Sequence, residues 1–229
     1  MNIIKFNNSI LKFNSDWLEP KLPDPYNPLD LPPNTIRVKF VEGYVPDMGD
    51  TRTLVDADEN IWDIYRESND WYRLFYAKSN LVEVLGANTT NITNMKEMFN
   101  GCGYYLTSMP LFDTRNVTDM ESMFERCFKL QTVATFDTPN VTTMAYMFYD
   151  CYDLRYVPLL DTTKVTNMNA TFFYCNNVKS GALALYQQAS SQANPPTVHT
   201  STFSHCGSST VSGAIELDQI PSSWGGTGA

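Results

Sequence analysis

Phe112-Asp113-Thr114-Arg115-Asn116-Val117-Thr118-Asp119-Met120 returns as Phe136-Asp137-Thr138-Pro139-Asn140-Val141-Thr142-Thr143-Met144, and again as Leu160-Asp161-Thr162-Thr163-Lys164-Val165-Thr166-Asn167-Met168. Each copy leads into Met-Phe-x-x-Cys or a variant of it: Met123-Phe124 with Cys127, Met147-Phe148 with Cys151, and Thr171-Phe172 with Cys175. Met98-Phe99 with Cys102 precedes them, so the four phenylalanines stand 25, 24 and 24 residues apart. A fixed period of this length marks stacked repeats, in which each unit buries its neighbour's apolar face because none can bury its own.

Fainter copies flank the four. Leu74-Phe75 falls 24 residues before Phe99, with Trp71 in the methionine column and Lys78 where cysteine would stand, and reads as a starting cap. Thr202-Phe203-Ser204-His205-Cys206 repeats the signature 31 residues after Phe172. The extra length predicts a helical insertion over 180–192, where helix formers concentrate.

Within a repeat, Thr118-Asp119-Met120-Glu121 has capping-box spacing, and Thr93, Thr142 and Thr166 share the N-cap position. Val117, Met120, Phe124 and Cys127 then fall three, four and three apart, the spacing of one inward helical face. Leu130–Val133, matched by Leu106–Met109 and Leu154–Val157, predicts a short strand, with equivalent strands about 4.8 Å apart in a parallel ladder. The expected fold is an α/β repeat solenoid of short parallel strands and short helices over residues 61–215.

Ahead of the repeats, residues 1–19 predict a small hairpin, Ile3-Ile4-Lys5-Phe6 and Ser9-Ile10-Leu11-Lys12-Phe13 around Asn7-Asn8, which is marginal alone and suited to attachment. Residues 20–34 carry six prolines and read as a stiff linker. Residues 35–60 read as a strand-rich capping segment, and 216–229 as a C-terminal cap and tail.

With 43% hydrophobic and 13% aromatic residues the chain has ample material for a core. Its net charge of −9, spread along the length, leaves no basic patch to neutralise phosphates, which argues against nucleic acid or an anionic membrane as partner. Met1-Asn2-Ile3-Ile4-Lys5 is too short an apolar opening for a secretory leader, and no run approaches a membrane helix. The expected site of synthesis is the bacterial cytoplasm, without a signal peptide or membrane insertion.

The consensus Phe-Asp-Thr-x-Asn-Val-Thr-x-Met-x-x-Met-Phe-x-x-Cys-x-x-Leu-x-x-Val resembles the BspA-like (Treponema-type) leucine-rich repeat of bacterial surface proteins, over about residues 61–215. That resemblance implies a leucine-rich repeat fold and adhesion to host proteins or other cells. The opening residues, with Trp17-Leu18 soon after, are similar to the starts of structural proteins of gut bacteriophages.

Candidate chemistry is sparse. In-register cysteines one per repeat all face the same way and lack the Cys-x-x-Cys pairing of zinc sites, so they read as buried thiols. Seven methionines occupy two core columns and read as packing. Asp113, Asp137 and Asp161 could line up for calcium, but such residues more often bond local backbone amides. Asn91, Asn116 and Asn140 have the Asn-x-Thr form of glycosylation acceptors, recurring because the repeat recurs. His199 and His205 are the only histidines, and no nucleophile arrangement accompanies them. No catalytic, metal or cofactor site is expected.

Surface columns carry more information. After each core Phe the residue runs Asn100, Glu125, Tyr149, Phe173, and the next runs Gly101, Arg126, Asp150, Tyr174. With Tyr146 and Tyr152, this face turns aromatic in the late repeats, as contact surfaces do, unless the inserted helix covers it. An alternative contact surface lies on the strand side at Ser108, Thr132 and Tyr156. The expected function is a non-enzymatic structural or adhesive protein of a bacteriophage particle. It would attach to other virion proteins through its N-terminal segment and contact a host surface protein or glycan. A BspA-type bacterial surface adhesin and an intracellular scaffold are the alternatives.

Overall fold

In the computed structural model, residues 4–6, 9–11, 30–47, 50–207 and 214–228 are described. Strands β1 (Ile4–Phe6) and β2 (Ser9–Leu11) pair antiparallel with Ile4 opposite Leu11. The Asn7-Asn8 turn, Trp17-Leu18 and most of the proline-rich stretch lie outside the described residues.

The regular sheet comes from both sides of residue 60. β3 (Thr35–Phe40), β4 (Thr51–Asp56), β5 (Ile61–Tyr65) and β6 (Leu81–Asn88) form a four-stranded antiparallel sheet in the order β4-β5-β3-β6. β3 lies between β5 and β6 because Ile36, Val38 and Phe40 alternate onto one buried face, the period-2 pattern of a half-covered strand. On its other face the Arg37 guanidinium donates to both Asp63 carboxylate oxygens, at 2.6 and 2.8 Å.

The α/β repeat solenoid with a helix and a strand in every turn does not form. Regular structure is mostly this antiparallel sheet, joined by one two-residue parallel pair, β7 (Ser108–Met109) with β8 (Thr132–Val133), and by the nine-residue helix α1 (Ala182–Ser190). A short α2 (Ala214–Leu217) follows. Where each repeat was expected to begin a helix, the backbone makes consecutive tight turns. The N–H groups of Met98, Asn100 and Cys102 donate to the carbonyls of Met95, Glu97 and Phe99 at 3.2, 3.2 and 3.0 Å, three residues back instead of the four of an α-helix. The alternate N–H groups of Glu97, Phe99 and Gly101 leave the turn and donate to Glu121, Met123 and Glu125 in the next repeat at 2.9, 2.9 and 2.8 Å.

This path places non-glycine residues in the left-handed region, among them Glu97, Ser122, Arg126, Tyr146, Asp150 and Tyr174 with φ between 53° and 60°. Each costs ~1–2 kcal/mol, offset by the inter-repeat bonds that the conformation permits. The threonines expected as N-caps serve a different role. Thr118, Thr142 and Thr166 donate their hydroxyls to the carbonyl of the matching threonine one repeat earlier, at 3.1, 3.0 and 3.2 Å.

Inside the turns the apolar columns meet. Phe75, Phe99, Phe124, Phe148, Phe172 and Phe203 are fully buried and stack in succession, with ring centroids 5.4, 5.6, 5.3, 5.2 and 5.8 Å apart. Beside them the thiols of Cys102, Cys127, Cys151 and Cys175 donate to the carbonyls of Phe75, Phe99, Phe124 and Phe148 at 3.1, 3.2, 3.1 and 3.1 Å. All five cysteines are free and buried. At the far end the Phe203 N–H donates to the Trp224 carbonyl at 2.9 Å, and the Trp224 ring lies flat on His199 with centroids 4.2 Å apart.

Candidate functional site

The tight turns determine which side chains leave the core. Phe148 points in, Tyr149 stands half out, and Asp150 takes the left-handed conformation that lets Cys151 return to the interior. The same sequence of directions in the next repeat projects Phe173 and Tyr174 beside them. Tyr149 and Phe173 stack with centroids 5.2 Å apart and planes 4° from parallel. Tyr174 meets Phe173 edge-on at 4.4 Å, and Tyr146 meets Tyr149 at 5.8 Å. Asn169 Nδ2 donates to the Tyr146 hydroxyl at 2.8 Å, fixing the outer ring.

Four of the five expected contact residues therefore form one ring network. Tyr146 and Tyr174 are exposed at 37% and 39%, and Tyr149 and Phe173 are half-buried. Tyr152 is more exposed, at 50%, but among the described residues no ring contact joins it to the others. A fifth member of the network is His205, whose ring lies 4.6 Å from Tyr174 and 5.5 Å from Phe173. It occupies the Tyr174 column of the last repeat, two residues after Phe203 as Tyr174 is after Phe172.

Helix α1 packs elsewhere. It buries Ala182, Leu185 and Ala189, and the Gln188 side chain donates to the Leu160 carbonyl at 2.7 Å. Tyr186 meets Trp224 edge-on. On the alternative surface Ser108 and Thr132 are opposite each other across β7–β8, and Tyr156 bridges in parallel to Ser180. All three residues are exposed, Tyr156 at 53%.

The family described as Mycoplasma protein of unknown function, DUF285, matches residues 69–184. The chain belongs to this family. It is related to the BspA-like repeat proteins. Among curated proteins and among solved structures, nothing matches the chain. The DUF285 segment holds Tyr146, Tyr149, Tyr152, Phe173 and Tyr174 and the whole strand-side surface, whereas β1 to β5 lie ahead of it.

Other polar groups of the DUF285 repeats are engaged in their own backbone. Asp113 and Asp161 accept the N–H groups of Arg115 and Thr163 at 3.3 and 2.9 Å. The Arg115 guanidinium beside Asp113 holds its carboxyl below the usual carboxylate range. Asn116 and Asn140 donate side-chain amides to Thr90 and Arg115 carbonyls of the preceding repeat, at 2.8 and 2.7 Å. Burial pushes the Cys102 thiol up to about 12, and Cys127, Cys151 and Cys175 well above the usual range. None supplies thiolate at neutral pH. His199 is held between Trp224 and the Ser223 carbonyl, 3.2 Å from its Nδ1. Among the described residues no group of three His, Cys, Asp or Glu side chains could hold a metal ion, and no helix is long and apolar enough to cross a membrane.

Proposed function

We propose that this DUF285 chain is a non-enzymatic contact protein, serving as a structural or adhesive component of a bacteriophage particle. The observation that carries the contact role is the network of Tyr146, Tyr149, Phe173, Tyr174 and His205, which α1 leaves uncovered. Packed aromatic rings of this kind anchor protein interfaces because each offers a large area and little rotamer freedom to lose. Protonatable and nucleophilic groups support the non-catalytic reading: the thiols are buried and neutral, His199 is stacked on Trp224, and His205 packs at an angle against Tyr174 and Phe173. The particle setting rests on the likeness of the opening residues to phage structural proteins, with β1–β2 as the attachment element.

Mass spectrometry of purified particles tests the setting. Recovery of the chain in stoichiometric amount is expected. Its absence from particles, together with recovery from cell envelopes, would assign the contact surface to a bacterial surface adhesin of BspA type.

A further inference from the structure

A second surface carries chemistry of a different kind. Residues 129, 153 and 177, and residues 131, 155 and 179, are equivalent positions of three successive repeats, each 24 apart. The Arg155 N–H donates to the Gln131 carbonyl at 3.0 Å and the Lys179 N–H to the Arg155 carbonyl at 2.8 Å, so the second column rises one repeat at a time. Leu130, Leu154 and Val178 between the columns point into the core, which turns both polar columns outward side by side. Gln131, Asp153, Arg155, Asn177 and Lys179 line an open groove of about 260 Å³.

Within the groove the polar groups are unequally matched. Asp153 is already neutralised, its Oδ2 3.2 Å from Lys129 Nζ and its Oδ1 accepting from Asn177 Nδ2 at 3.2 Å. Arg155 and Lys179 are exposed, adjacent in one column, and have no acidic partner among the described residues. Like charges one ladder step apart repel, and here they do so in a chain with a net charge of −9. An exposed pair of unmatched cations beside two planar amides is suited to a carboxylate that also presents hydroxyls. Tyr152 and Tyr156, both exposed, bracket this stretch in the chain and offer apolar ring surface.

We propose that this groove binds a carboxylated sugar, with Arg155 and Lys179 taking the carboxylate, and Gln131 and Asn177 bonding ring hydroxyls. A guanidinium pairs a carboxylate through two parallel bonds, and charge-assisted bonds are the strong ones. The lining side chains are all polar or charged, which favours a ligand rich in hydroxyls over an acidic peptide with an apolar anchor.

Isotope-labelled full-length chain titrated with glucuronic acid, glucose, acetate and a hexaglutamate peptide provides the test. Glucuronic acid should give saturable shifts at Gln131, Arg155, Asn177 and Lys179, with glucose and acetate each weaker by about tenfold or more. Arg155→Gln and Lys179→Gln should each weaken glucuronate binding by about fivefold or more with unchanged melting temperature. Tyr149→Ala should leave it unchanged, which separates this site from the aromatic network. Equal shifts with acetate and glucuronate would reduce the groove to a diffuse anion effect and overturn the proposal. So would tighter binding of hexaglutamate, which would assign the surface to an acidic protein, or the absence of saturation.

Discussion

Replacing Phe124 by alanine should destabilise the chain more than any comparable change at its ends. The ring is fully buried, stacked on Phe99 at 5.6 Å and on Phe148 at 5.3 Å, with Phe136 at 6.1 Å. A buried Phe→Ala change costs about 3–5 kcal/mol, and losing aromatic neighbours adds ~0.5–1.5 kcal/mol per pair. With rings on both faces, the top of the first range, about 5 kcal/mol, is expected. For a chain of this length that is a fall of about 10–20 °C in melting temperature. Phe203 stacks on Phe172 alone among the described rings, so Phe203→Ala should cost about 1 kcal/mol less. Urea unfolding at neutral pH measures both, as a lower midpoint with unchanged slope. A loss below about 2 kcal/mol at Phe124, or a larger loss at Phe203, would refute the idea that the ring column holds the repeats together.

Tyr149→Ala should cost about 1–3 kcal/mol of stability through its contacts with Tyr146 and Phe173, while weakening pull-down of the particle or surface partner about thirtyfold, the effect of removing an interface anchor. A normal pull-down would remove the aromatic network as the contact surface. Raising the pH should destabilise the fold. The buried thiols stay protonated to about 12 at Cys102 and above the usual range elsewhere, whereas in the unfolded chain they ionise near 8.5. Their contribution is complete below that value and is lost as the pH rises from there toward about 12, by up to about 1.4 kcal/mol per pH unit per thiol. Urea midpoints at pH 8 and 10 measure this, and Cys151→Ala should flatten the dependence. Gly181→Ala should destabilise by ~1–3 kcal/mol, because Gly181 has φ of 101° and an added Cβ would meet the Val157 carbonyl. A melting temperature equal to wild type would contradict that contact.

The spacing of Phe99, Phe124, Phe148 and Phe172 was enough to read which side chains share a column, because identity at a fixed period survives any local backbone path. The path itself could not be read. Val117, Met120, Phe124 and Cys127 fit a helical face, and they fit a run of tight turns equally well. The bonds that decide between the two, such as Phe124 N–H to the Met147 carbonyl at 2.8 Å, join residues a whole repeat apart. Nor do Ser122, Arg126 or Tyr146 advertise a positive φ, since glycine and asparagine are the residues that signal it. The antiparallel sheet was missed for a related reason. β3 pairs with both β5 and β6 across long stretches of chain, a pairing that no local pattern records. In the contact surface, Tyr149 with Phe173 was visible as a column; the Phe203-Ser204-His205-Cys206 signature also set His205 under Tyr174, but that column runs Gly101, Arg126, Asp150, Tyr174, His205 and carries rings only in its last two members.

The alternating bonds of the turns have a consequence for how such chains can change length. Over each Met-x-x-Met-Phe-x-x-Cys stretch every second N–H is committed to a particular carbonyl of the next repeat, so an added or deleted residue would invert donors and acceptors along the whole seam. The irregularities that do occur fall elsewhere. The 25-residue interval from Phe99 to Phe124 carries its extra residue between Cys102 and Leu106, at exposed Tyr104-Tyr105, and the 31-residue interval places α1 after Val178. These joints behave as expansion gaps, and foreign loops grafted there should be accommodated where the same loops inside the seam would abolish folding.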